Sequence, residues 1–331
     1  MRILIYGASP DEQPYIQQWS AAHSIETVSV KEPLSEATVG LASGADGISI
    51  QQTVSIGGLA VYEKLHALGI RQISTRTAGY DMVDLEAAQQ NQLIVTNVPA
   101  YSPYAVAELA VAQTMQLTRH LATFHRRFVA RNFTWRPLIA KELRELTIGI
   151  IGTGRIGATA AELFKGLGAT LIGFDVYRNP QLGGVLDYRA TLEQVLQEAD
   201  VVSLHTPLMA ATRHMIHADN LKLMKKTAYL INVARGGLID TEALIAALKK
   251  GQIAGAALDA FEDESFINHD LSEAAFHSPQ VEQLSALGNV LLTPHIGFYT
   301  ETAIKNMVMI GLSCVADIIH TGTSANSIKG L

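Results

Sequence analysis

The sequence predicts an α/β protein built as two doubly wound parallel-sheet domains with a cleft between them. Three observations carry this. Short β-branched apolar runs alternate with helical patterns along most of the chain, as in parallel sheets covered by helices on both faces. The 331 residues are long for one core. A glycine-rich turn stands near the middle of the chain, between a strand pattern and a helix pattern.

In the first hundred residues "MRILIYG", "ADGISI", "IRQIST" and "LIVTNV" read as strands, with helical segments such as "LAVYEKLHAL" between them. Around "NVPAYSPYAVAELAVAQTMQLTRHL", Ser102 can cap a helix, Pro103 suits its first position, and Ala105, Leu109, Ala112 and Gln116 follow at helical spacing. This helix could cross from one sheet to the other. A second strand series runs through "LTIGIIG", "ATLIGFD", "DVVSLHTP", "TAYLINVA", "IAGAALDAF" and "NVLLTPH". The closing helix, Thr300 to about Ile319, gathers Ile304, Met307, Val308, Leu312, Val315 and Ile319 on one face and ends before Gly322. It could return to the first domain. The expected division is therefore 1–101 with 299–331, and 102–298.

Charge and cysteine content exclude other classes. Lys and Arg total 25 against 31 Asp and Glu, a net charge of −6, and no basic stripe could neutralise phosphates, so no nucleic-acid partner is expected. The single cysteine, Cys314, forms no internal disulfide, which fits a reducing compartment. Met1 to Gly7 is too short for a signal sequence, and no uncharged apolar run reaches the length of a membrane span. A soluble, cytoplasmic protein without a metal site is expected.

"IGIIGTGRIG" sets Gly152, Gly154 and Gly157 at G-x-G-x-x-G spacing directly after the strand 147–151 and before a helix. The first glycine permits a tight turn, the second a close approach to pyrophosphate, and the third helix-to-strand packing. The next strand ends in Asp175, 18 residues past Gly157, placed to accept ribose hydroxyls and repel a 2′-phosphate. This makes 102–298 a Rossmann-like domain for NAD rather than NADP. Arg178 nearby pulls the other way, since an arginine can serve a phosphate.

Three further strand ends carry charge. Arg235 follows "YLINVA" beside Gly236 and Gly237, Asp259 and Glu264 follow "GAAL", and His295 follows "VLLTP". Ligands of open α/β sheets sit outside the carboxyl ends of the strands, so these residues face the glycine loop. In hydride chemistry on a 2-oxo acid, Arg235 can clamp the carboxylate and His295 can protonate the forming alkoxide, with Glu264 fixing the ring and favouring its charged form. Asp259 can also be read as a turn cap, and His205, after "DVVSL", is a second candidate acid.

With these residues in hand, the chain resembles the D-isomer-specific 2-hydroxy acid dehydrogenases over essentially its whole length, and among them the bacterial D-lactate and D-2-hydroxyisocaproate dehydrogenases. The resemblance rests on "RTAGYDMVDL", "TNVPAYSPYAVAE", "GIIGTGRIG", "LHTPLMAATRHMI", "NVARGGLIDTEAL", "LDAFEDE" and "TPHIGFYTETA". It implies Arg235, Glu264 and His295 as the catalytic trio, and substrate contacts at Ala78, Gly79, Tyr101 and Phe298. It also implies cofactor contacts at Arg155, Ile156, Asp175, His205, Thr206, Pro207, Thr212, Val233, Ala234, Arg235 and Asp259, besides the three glycines. A substrate domain made from both chain termini and a homodimer built on the cofactor domains follow from the same resemblance. Formate dehydrogenases of the superfamily pair the histidine with glutamine, so Glu264 argues against them. An NAD-sensing corepressor of the same fold is the alternative of a different class. Lactate-preferring relatives commonly carry a tyrosine in the loop that corresponds to Ile50–Thr53, whereas here the residues are Ile, Gln, Gln and Thr, which implies a wider substrate pocket.

Overall fold

The computed structural model describes residues 1–267 and 277–328, so the last three residues of the expected 299–331 segment lie outside it. From the amino terminus come β1 (Arg2–Tyr6), α1 (Gln13–His23), β2 (Glu26–Ser29), β3 (Gly47–Ile50), α2 (Leu59–Ala67), β4 (Gln72–Thr75), α3 (Leu85–Gln90) and β5 (Ile94–Thr96). The helices α4 (Pro103–Thr118) and α5 (Leu121–Val129) precede β6 (Thr147–Ile151), α6 (Arg155–Gly166), β7 (Thr170–Phe174), β8 (Asp187–Tyr188), α7 (Leu192–Glu198) and β9 (Val201–Leu204). Then follow α8 (Ala218–Leu221), β10 (Tyr229–Asn232), α9 (Thr241–Lys249), β11 (Gly255–Leu258), α10 (Pro279–Ser285), β12 (Val290–Leu292) and α11 (Glu301–Thr321).

The chain divides into two compact units, Met1–Ser102 with Tyr299–Leu331, and Pro103–Phe298. The first holds a five-stranded parallel sheet in the order β2-β1-β3-β4-β5. Strand alternation feeds two cores. Leu4 and Tyr6 pack with Ile48, Ile50, Tyr62 and Leu65 on one face. Ile3 and Ile5 meet Trp19, Val308, Leu312 and Val315 on the other. Burial on both faces explains why these strands read as nearly continuous apolar runs. A Cβ at Gly47 would lie 2.6 Å from Val315, so glycine is what lets α11 approach β3 this closely. At the carboxyl edge a buried ion pair ties three strands together: Arg76 Nε donates to Glu12 at 2.8 Å, while its terminal nitrogens donate to the Tyr6 carbonyl and the Ser49 hydroxyl.

Among the described residues, α11 is long and apolar enough to cross a membrane, where the sequence suggests no such stretch. It is the core helix of its unit, with Ile304, Met307, Val308, Leu312, Cys314 and Val315 buried. Thr300 caps its first turn and Gly322, in the left-handed region, closes it.

The second unit holds a seven-stranded parallel sheet in the order β12-β11-β10-β9-β6-β7-β8. Its order reverses between β6 and β9, which makes the carboxyl ends of those two strands the switch point where such sheets bind ligands. One core gathers Val202, Leu204, Leu230, Leu244 and Leu258, and the other gathers Ile148, Ile150, Phe164, Val201 and Ile231.

Candidate active site

The turn after β6 has the geometry its three glycines imply. Gly152 adopts φ +89°, and a Cβ there would meet the His205 carbonyl at 2.8 Å. A Cβ on Gly157 would lie 1.9 Å from the Gly152 carbonyl, so α6 packs against the turn only without a side chain. Gly154 differs: nothing lies within 4 Å of its ideal Cβ. It is also the N-cap of α6 and offers no capping side chain, which leaves the helix N-terminus open to an anion. The cradle therefore fits a dinucleotide pyrophosphate. Arg155 and Ile156 open the helix, and Ile156 packs partly into the core.

Asp175 follows β7 and is woven into the same turn. Its Oδ2 accepts from the Thr153 amide at 2.6 Å and from the Thr153 hydroxyl at 3.2 Å, and its Oδ1 accepts from the Tyr177 amide. The Tyr188 hydroxyl donates to Thr153 Oγ1 at 2.8 Å, so the edge strand β8 helps orient the carboxylate. The Arg178 guanidinium lies over the Tyr188 ring at 5.5 Å, held as a cation–π pair.

At the end of β9, His205 is a weaker candidate acid than its position suggests, because its ring meets a hydroxyl and not a carboxylate. Burial pushes its pKa down to about 4, and its Nε2 hydrogen-bonds the Ser203 hydroxyl at 2.9 Å. Burial thus disfavours the imidazolium that an efficient general acid requires. Beyond it Thr212 folds the loop back, donating to the Pro207 carbonyl at 2.7 Å and accepting from the Met209 amide. Thr206 reaches Met215 Sδ.

The Arg235 turn is shaped by Asn232, the last residue of β10. The Asn232 side chain accepts from the Ala234 amide at 3.1 Å and donates to the Arg235 carbonyl at 2.9 Å. Val233 is buried beside it, and a Cβ on Gly236 would lie 1.8 Å from the Phe261 carbonyl carbon. That close approach brings the Arg235 turn against the segment carrying Glu264.

His295 sits in the left-handed region at φ +54°, with Nδ1 2.8 and 2.9 Å from the two oxygens of Glu264. Both side chains are mostly buried, and Glu264 also accepts from the Phe261 amide. The Phe298 ring stands edge-on to the imidazole at 6.5 Å. Asp259 has a task the sequence does not reveal. It is buried, and its carboxylate accepts from the Thr293 hydroxyl at 2.6 Å, the Ile296 amide at 2.9 Å and the Gly297 amide at 2.8 Å. It therefore holds the turn on which His295 rides.

In the first unit, Ala78 and Gly79 follow β4. The Ala78 carbonyl accepts from Asn97 Nδ2 and the Gly79 carbonyl from the Thr77 hydroxyl. The Tyr101 carbonyl accepts from Asn306. The Gln51 amide lies against Glu12, and the Gln52 side chain is tied to the Leu34 backbone.

A dinucleotide cradle has no need of an imidazole–carboxylate pair and a guanidinium at neighbouring strand ends unless chemistry takes place at the nicotinamide end. The second unit thus has the form of a nicotinamide-dependent oxidoreductase. Comparison with known proteins narrows that class. The NAD-binding domain of the D-isomer specific 2-hydroxyacid dehydrogenases matches residues 111–297. A D-2-hydroxyacid dehydrogenase (NAD(+)) of Clostridioides difficile is 46% identical over 99% of this chain and all of its own. Two solved structures are similar over the full length of both chains: a D-lactate dehydrogenase from a Sporolactobacillus, 49% identical with a TM-score of 0.83, and a D-2-hydroxyisocaproate dehydrogenase, 38% identical with a TM-score of 0.89. The chain belongs to the D-isomer specific 2-hydroxyacid dehydrogenase family.

Proposed function

We propose that the protein is an NAD-dependent D-2-hydroxy acid dehydrogenase, reversibly reducing pyruvate to D-lactate and accepting larger 2-oxo acids. The observation that carries this reading is the His295–Glu264 pair, one strand end away from the turn that bears Arg235. When bound, NADH supplies the hydride. The protein's part is to hold and protonate the substrate. Arg235 binds the carboxylate through two parallel hydrogen bonds and so fixes the ketone carbon. With Nδ1 directed at Glu264, Nε2 of His295 is the nitrogen that gives its proton to the carbonyl oxygen and takes it back in the oxidative direction. Glu264 balances the imidazolium and keeps the ring in register. Among known relatives the comparable proteins are dehydrogenases, which disfavours the corepressor reading.

The proposed cofactor contacts are Gly152, Gly154, Arg155, Ile156, Gly157, Asp175, His205, Thr206, Pro207, Thr212, Val233, Ala234 and Arg235. Asp259 joins them with little left to offer, because three donors already fill most of its four acceptor positions. Proposed substrate contacts are Ala78, Gly79, Tyr101 and Phe298 besides Arg235. The first unit, Met1–Ser102 with Tyr299–Leu331, is the proposed substrate domain and the second, Pro103–Phe298, the proposed NAD domain, one residue from the division 1–101 with 299–331 and 102–298 expected from sequence. The active form is proposed as a cytoplasmic homodimer. The arm that follows α4 supports this: α5 has no buried residue, and Phe128, Phe133, Trp135 and Ile139 are exposed.

The test is NADH oxidation with pyruvate, 2-oxoisocaproate and phenylpyruvate, with chiral analysis of the products. D-products from pyruvate and from at least one larger acid are expected. Activity confined to pyruvate would refute the wide pocket, and L-products would refute the stereochemical reading.

A further inference from the structure

Behind the turn that carries His295 runs a buried polar chain that begins on α4. Gln113, 1% exposed, donates from Nε2 to the Thr293 hydroxyl at 2.9 Å. That hydroxyl in turn donates to Asp259 Oδ1 at 2.6 Å, and Asp259 accepts the Ile296 and Gly297 amides on its two oxygens. The direction of the chain is fixed. A threonine hydroxyl has one proton, and with the Gln113 N–H on its lone pair that proton can only go to the carboxylate. The arrangement has a cost, since the Gln113 amide oxygen is buried with no hydrogen-bond partner among the described residues. A residue needed only to fill space on α4 would be apolar.

We propose that Gln113 and Thr293 are positioning residues for proton transfer: they set the orientation of the Asp259 carboxylate, and through it the turn that presents His295 to the substrate. The turn needs such support. His295 lies at positive φ, a region uncommon for residues other than glycine, and Gly297 leaves just enough room for Asp259, whose Oδ2 would be 3.1 Å from a Cβ there. The backbone amide of Asp259 also donates to the carbonyl of Asn232, whose side chain holds the Arg235 turn. Asp259 thus links the two turns, holding the one that carries His295 with its carboxylate and meeting the one that carries Arg235 through its backbone amide.

This inference rests on the dehydrogenase reading, and its test separates the two. Thr293→Val keeps the shape and removes the hydroxyl, Thr293→Ser restores it, and Gln113→Met removes only the first link. Thr293→Val is expected to lower kcat for 2-oxo acid reduction on the order of tenfold, because small misplacements of reacting groups are costly. The primary deuterium isotope effect with deuterated NADH should rise, the Kd of NADH should stay within about twofold, and Thr293→Ser should return kcat to near wild type. Gln113→Met should fall between. A crystal structure of Thr293→Val should show Asp259 rotated off the Ile296 and Gly297 amides. An active wild type whose Thr293→Val variant is equally active, or whose turn is unmoved in that structure, overturns the positioning role. A wild type inactive on every 2-oxo acid overturns the dehydrogenase reading instead.

Discussion

His295 and His205 both follow apolar strands, yet their surroundings assign them opposite tasks. His295 faces a carboxylate at 2.8 and 2.9 Å, and His205 faces a single hydroxyl inside a buried site. Replacing His295 with glutamine should reduce turnover a hundredfold or more, the scale of a lost general acid, with NADH affinity nearly unchanged. Near-normal turnover would remove it from the mechanism. His205 gives a stability prediction. Its native pKa of about 4 lies below the ordinary histidine value near 6.5, so between those pH values the unfolded chain binds a proton that the native chain refuses. Native stability therefore falls as pH drops from about 6.5 to about 4, by on the order of 3 kcal/mol from this group. In urea unfolding of the apoprotein, His205→Asn should lose less stability between pH 7 and pH 5 than wild type does, and equal losses would contradict the burial argument. The positions of Arg235, Glu264 and His295 were legible because charged side chains at the ends of apolar strands stand out. The burial of His205 and the grip of Asp259 on residues 34 to 38 positions away were not, since hydrogen-bond partners that far apart leave no local pattern.

At the scale of elements, the glycine turn and α6 separate folding from binding. Gly157→Ala would force a Cβ to 1.9 Å from a backbone carbonyl that cannot yield, an overpacking cost of about 1–3 kcal/mol or more. Gly154→Ala meets open space at an ordinary φ of −65° and so leaves the fold alone, but it fills the room a pyrophosphate needs. Thermal unfolding and NADH titration should therefore dissociate the two variants. Gly157→Ala is expected to lower Tm, and Gly154→Ala to weaken NADH binding while keeping Tm within a degree or two. A Gly154→Ala variant that binds NADH normally would show that the pyrophosphate does not rest there. The long apolar strands and α11 were readable from sequence. β2 and β8 were not: one is a polar edge strand spanning "ETVS", the other only two residues long, and neither buries enough apolar surface to show alternation.

For the whole molecule, two sheets each carry a core on both faces, and the chain leaves the first unit and returns to it, as the helical patterns after Ser102 and Thr300 suggest. What those cores leave over is the arm from α5 to Ile139. Phe128 and Phe133 pack edge to face at 5.2 Å, and the Arg127 guanidinium ties the arm's own backbone by donating to the Thr134 and Arg136 carbonyls. The arm is thus ordered by itself while its apolar groups stay out: Trp135 is 71% and Ile139 91% exposed. At its foot a cavity of about 310 Å³ is lined by Leu117, His120, Leu138, Tyr229 and Leu291. An ordered apolar surface of this kind is stable in water when a second protein surface covers it, and stable interfaces bury roughly 1,600 Å² in total. The proposed homodimer supplies that cover. Sedimentation of the wild type should give the mass of two chains, and Trp135→Glu with Ile139→Glu should shift it toward one chain, since two carboxylates would have to be desolvated in the interface. A wild type that sediments as a single chain at micromolar concentration would show that the arm serves something other than self-association.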